Sequence, residues 1–198
     1  YQYQNLVGLT SSAVKTGQLL IEINTYANPY TYINREISSF LSDYLIAINR
    51  NDLIEQYDLN PFSIKVLDIR RTLIEKMVSL LRFSFETDVV KALSTKIRHF
   101  YDLYYLANDK ECAEYLQSSE FKKDLSELLI HDQQEFDIPE GWQTKTIKES
   151  PLFKEFSTLW TILSVVYQNE LTPLAFSDIP DKKLIAESFM KILKQLQK

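Results

Sequence analysis

Residues 70–83 read Arg-Arg-Thr-Leu-Ile-Glu-Lys-Met-Val-Ser-Leu-Leu-Arg-Phe. Leu73, Met77, Leu80 and Leu81 recur at intervals of three and four, the spacing of one helical face. Thr72, Glu75, Lys76 and Ser79 fall on another side of the same helix. The stretch therefore predicts an amphipathic helix over 71–83 that turns a lysine away from its apolar stripe. Next, Thr87 or Asp88 supplies a helix cap, and a second helix is predicted from there to about Ala107. Its expected buried stripe is Val90, Leu93, Ile97, Tyr101 and Tyr104, and it carries Arg98-His99-Phe100-Tyr101-Asp102-Leu103. Arg98 and Asp102 are four apart and face the same way, which on its own reads as a helix salt bridge worth about a few tenths of a kcal/mol.

Toward the C-terminus, short helices are expected at 110–117 and 120–132. A loop holding Pro139 and Gly141 covers 137–149. Longer helices follow at 152–168 and 181–197, the last with Leu184, Phe189, Ile192, Leu193 and Leu196 on its apolar face. Toward the N-terminus, Pro61 precedes an alternating strand at 62–67. Apolar positions at Ile37, Phe40, Leu41, Tyr44, Leu45 and Ile48 predict a helix, and a short one is expected at 52–57. Gln18–Asn24 reads as a strand with Leu19, Ile21 and Ile23 on one face and Leu20, Glu22 and Asn24 on the other. A carboxylate in so apolar a strand needs a partner, a metal or an exposed face. A small strand-containing front before a helical back predicts an α+β, helix-dominant fold. The expected division is 1–69 and 70–198.

The chain has 3 Gly among 198 residues, which excludes a Gly-rich phosphate loop. Its lone cysteine, Cys112, leaves no intrachain disulfide and suggests a reducing, cytoplasmic location. No apolar run reaches the ~20 residues of a membrane helix. Net charge is −5, but it is uneven: Ser63–Leu106 holds eight basic residues against five acidic ones, net +3, leaving −8 elsewhere. A polyanion is therefore expected at the middle of the chain.

Glu22 in Ile-Glu-Ile-Asn, Arg71-Thr72-x-x-Glu75-Lys76 and Arg98-His99-x-Tyr101-Asp102-Leu103, in that order, resemble the AbiEii/AbiGii toxin family of the DNA polymerase β nucleotidyltransferase superfamily. The resemblance covers about 20–190. It implies that the front is the rear part of a nucleotidyltransferase α/β domain, a remnant of its sheet, followed by a helical bundle. It also implies that Glu22, Lys76 and Asp102 are catalytic and that Arg71, Thr72, Lys76, Arg98 and His99 bind nucleotide, with Glu75 in support. Glu22 would be a metal ligand, and Mg²⁺ the cofactor of the complete protein. A nucleoside triphosphate would be the donor, tRNA or another RNA an acceptor, and a cognate antitoxin a partner, in phage defence by abortive infection. The residue types suit the chemistry: divalent metals bridge the attacking and leaving oxygens, Mg²⁺ favours carboxylate and phosphate oxygens, and lysine is a movable charge for phosphates.

The family's Gly-Ser…Asp-x-Asp motif has no counterpart before Glu22, since the first aspartate is Asp43. Two expectations follow. Either the chain is the C-terminal portion of a longer enzyme, or it is a non-catalytic helical interaction protein that kept the fold. On both, this chain by itself is not expected to hold metal tightly or to transfer nucleotides. A third reading, acid–base chemistry by Glu22 and His99 in an unrelated enzyme, lacks a nucleophile at a suitable spacing.

Overall fold

The computed structural model describes residues 32–175 and 177–197, apart from the Gln197 side chain. The expected strand at 18–24, with Glu22, lies outside the described residues. The described residues fall into two compact units, one up to Asp68 and the other from Ile69.

In the first unit, β1 (Tyr32–Ile37) and β2 (Phe62–Leu67) form an antiparallel pair in the register Tyr32↔Leu67 to Ile37↔Phe62. Two helices, α1 (Phe40–Ala47) and α2 (Asn51–Gln56), connect them. The expected helix from Ile37 begins instead at Phe40. Ser39 sets that start by accepting the Ser42 N–H at 3.0 Å, while Ile37 closes a strand. β1 has no sequence signature because five of its six residues are exposed, so neither face needs to be apolar. Asn49 and Asp58, at φ 57° and 51°, follow the two helices. These residue types tolerate the left-handed conformation that ends a helix. Lys65 Nζ lies 4.3 Å from the centroid of the Tyr32 ring across the pair.

The second unit is helical over its described residues. It comprises α3 (Ile69–Phe83), α4 (Val89–Ser94), α5 (Ile97–Asn108), α6 (Lys110–Tyr115), α7 (Ser119–Glu135), α8 (Pro151–Lys154), α9 (Phe156–Leu171) and α10 (Lys182–Gln197). Short 3-10 turns lie at Trp142–Thr144, Ile147–Glu149 and Thr172–Leu174. A small antiparallel pair followed by helices is the helix-dominant α+β arrangement the sequence predicts.

Helix α3 is the hub of this unit. It packs against α4, α5, α6 and α7 and buries Leu73, Ile74, Met77, Val78, Leu80 and Leu81. Its apolar surface is thus broader than the predicted stripe. The predicted single helix over 88–107 is two. The Ser94 hydroxyl donates to the Val90 carbonyl and that of Thr95 to the Ala92 carbonyl, so both side chains bond back to the α4 backbone where the helix ends. Lys96 then leaves helical geometry at φ −110°, ψ 16°. The restart places Ile97, Phe100 and Leu103 in the core, while Tyr101 and Tyr104 are only half-buried. On α10 the buried face is Ile185, Phe189, Ile192 and Leu193, and the expected Leu184 is exposed. The predicted helix at 152–168 is likewise divided, by Glu155 at φ −144°. Gly141, at φ 75°, makes the turn that leads into the buried Trp142 within the connection between α7 and α8.

Candidate nucleotide site

The packing of α3 on α5 brings together two residues 26 positions apart. Lys76 Nζ donates to Asp102 Oδ2 at 2.7 Å, with the lysine side chain 23% and the aspartate 35% exposed. The Asp102 carboxylate therefore pairs across helices with Lys76, and not along its own helix with Arg98. A partly shielded pair of this kind is less screened than a surface one, so the lysine is held in place yet remains in reach of solvent. Thr72, Lys76, Tyr101, Asp102, Tyr105 and Leu106 line one open hollow. Arg98 lies beside it, lining a second depression with Tyr101, Asp102, Leu171, Leu174, Ala175 and Ile179.

Two of the expected binding residues do not line either depression. Arg71 Nε donates to Glu75 Oε1 at 2.9 Å along α3, and its side chain is only 10% exposed. His99 is half-buried, and its Nδ1 has no hydrogen-bond partner. Burial first, then the positive charges of Lys76 and Lys96, push its pKa down to about 4, against the weaker opposing pull of Asp102. The imidazole is therefore neutral at pH 7. Between pH 6.5 and about 4 the unfolded chain binds a proton that the folded chain resists. The stability His99 contributes is present above that window and falls as pH drops through it. Thermal melting between pH 7.5 and 4.5 should show a shallower loss for His99→Phe than for the wild type; parallel curves would contradict this.

The sequence reading did not single out Tyr105 and Leu106, which line the hollow beside Lys76 and Asp102. It also missed a buried polar cluster behind α3. There the Trp142 Nε1 donates to Asp132 Oδ1 at 2.9 Å, and Arg82 Nε stands 3.3 Å from the same oxygen, at an angle too poor for a hydrogen bond. Burial raises the Asp132 pKa, opposed by Arg82 and by the Trp142 bond. This cluster faces packed side chains, with the Arg82 guanidinium 3.6 Å from the Phe136 ring centroid, and is structural.

Mg²⁺ needs several oxygen ligands at once. Among the described residues no group of three or more His, Cys, Asp or Glu is placed to hold a metal, and Asp102 is committed to Lys76. The described residues thus do not form a metal centre, and Glu22 is outside them. Nor is any helix among the described residues long and apolar enough to cross a membrane.

Among known families, the chain matches the model described as nucleotidyl transferase AbiEii toxin, type IV TA system, over residues 2–184. No curated protein and no solved structure matches the chain. The family match covers the first unit, the second as far as Leu184 and the whole of the Lys76–Asp102 site, and the chain belongs to the AbiEii family of nucleotidyltransferase toxins of type IV toxin–antitoxin systems.

Proposed function

We propose that the hollow between α3 and α5 handles the phosphates of a nucleoside triphosphate during transfer of a nucleotide to an acceptor RNA, with tRNA the favoured acceptor. The observation that carries this reading is the Lys76–Asp102 pair, set at an open surface by two family-matched helices. In such a transfer the acceptor hydroxyl oxygen attacks the α-phosphorus. The bond from that phosphorus to the β-phosphate bridging oxygen breaks, pyrophosphate departs, and the hydroxyl proton passes to solvent. Negative charge accumulates on the leaving oxygens, and a positioned ammonium stabilises it without reorganising at that moment. Asp102 is the positioning residue for that ammonium. Thr72 shares the hollow, and Arg98 borders it and adds positive potential at its rim. The net +3 of Ser63–Leu106 supports contacts with RNA phosphates.

Mg²⁺ would bind through carboxylates other than those described, Glu22 being the candidate. A cognate antitoxin would restrain the activity, and growth arrest by the toxin would protect a bacterial population from phage. To test this, the complete gene product is incubated with total cellular RNA, Mg²⁺ and each α-³²P-labelled nucleoside triphosphate. Label in a tRNA-sized band, with release of pyrophosphate, is expected. Absence of label in any RNA from all four donors, from protein that arrests growth in cells, would overturn the reading.

A further inference from the structure

We propose that Tyr105 is a stacking platform for a nucleobase beside the Lys76–Asp102 pair. The inference deepens the phosphate-handling reading of that pair and rests on it. Tyr105 is 49% exposed and lines the same hollow as Lys76 and Asp102. Its ring is held by two neighbours: Tyr101 at 4.9 Å between centroids and 59°, and Tyr104 at 5.3 Å and 87°. Tyr101 and Tyr104 are half-buried against the core, so they form a fixed support under an open ring. An aromatic ring held this way has already lost much of the freedom that stacking would cost it.

The placement suits a nucleotide. Asp102 and Tyr105 are three residues apart on one helix, about 4.5 Å along its axis. A triphosphate at Lys76 would thus lie roughly one helical turn from the ring, leaving room for a ribose between phosphate and base. Leu106 gives the hollow an apolar edge, and its volume of about 450 Å³ is within the usual range for small-molecule sites. Stacking on a tyrosine tolerates every base, because each presents a π-face. The base comes from the donor nucleoside triphosphate or from an unpaired end of the acceptor RNA, and both have the same chemistry at the ring.

Binding to the complete protein separates these cases, with three probes: a nucleoside triphosphate, inorganic tripolyphosphate, and a single-stranded hexaribonucleotide lacking a triphosphate. Tyr105→Ala is expected to weaken the nucleoside triphosphate about tenfold, the loss of one base–aromatic stack, and to leave tripolyphosphate unchanged. Tyr105→Trp should restore the affinity. If the acceptor's base occupies the ring, the hexanucleotide shows the tenfold loss instead. Lys76→Ala should weaken both triphosphate probes. Unchanged binding of all three probes by Tyr105→Ala overturns the proposal. So does an equal loss of tripolyphosphate and nucleoside triphosphate, which would mark general damage to the site. If Lys76→Ala leaves tripolyphosphate binding intact while Tyr105→Ala still weakens the nucleotide, the phosphate reading fails and the stacking platform stands. Melting temperatures of Tyr105→Phe and Tyr105→Ala equal to wild type confirm that the comparison concerns folded protein.

Discussion

Lys76→Ala is expected to lower nucleotide transfer by the complete protein about 10²–10³-fold, the usual cost of removing one preorganised charge or donor from a developing anion. The effect should fall mainly on kcat, because the ammonium matters most when the leaving oxygens carry most charge. Lys76→Arg should recover only part of the rate. A planar guanidinium places its charge differently from a compact ammonium 2.7 Å from Asp102 Oδ2. Asp102→Asn should give a smaller loss in the same direction, since the amide still offers an oxygen to Lys76 but no charge to hold it. Rates measured with labelled donor, beside growth of cells expressing each variant, check the series. Full activity and undiminished growth arrest in Lys76→Ala would remove the pair from the mechanism.

Phe100→Ala should destabilise the protein by about 3–5 kcal/mol, as expected for deleting a fully buried aromatic ring. Phe100 is 1% exposed and touches three other aromatic side chains: Phe189 at 4.9 Å, Trp160 at 5.3 Å and Phe156 at 6.1 Å between ring centroids. These belong to α9 and α10, so the ring joins α5 to both. The cavity cannot close easily, because Phe156, Trp160 and Phe189 are themselves in mutual contact or held by the backbone: the Trp160 indole donates to the Lys182 carbonyl at 3.0 Å. Phe100→Leu keeps most of the volume and should cost well under half as much. Urea unfolding followed by tryptophan fluorescence reads the difference. A loss below about 1 kcal/mol for the alanine variant would mean that α5 does not depend on this cluster. Since α5 also carries Asp102 and Tyr105, the same variant should lose nucleotide affinity on mild heating before the wild type does.

The helical part of the fold was legible where one face of a helix meets the core and the other meets water. Leu73, Met77, Leu80 and Leu81 are all buried as their spacing implies. Ile74 and Val78 were not assigned to the core, because α3 is covered on several sides and its apolar positions exceed a single stripe. The break between α4 and α5 was hidden, since Ser94 and Thr95 fit a helix until their hydroxyls bond back to its carbonyls. That break rotates α5, which is why Phe100 and Leu103 displace Tyr101 and Tyr104 from the deepest positions. β1 was illegible because almost nothing in it is buried. At the site, the family resemblance singled out Lys76 and Asp102, while local spacing paired Asp102 with Arg98. Only the packing of α3 on α5 turns the carboxylate to the lysine, and no periodicity within one helix contains that information. The exposed Tyr105 escaped notice for the same reason: its role depends on what stands across from it.

The most direct measurement is photo-crosslinking of the complete protein with the four photoreactive nucleoside triphosphates, followed by mass spectrometry of the labelled peptides. Nucleotide bound at the hollow between α3 and α5 should label peptides within Thr72–Leu106, with the label competed by unmodified triphosphate and lost in Lys76→Ala. Competable label confined to α9 and α10, or unaffected by Lys76→Ala, would contradict the account.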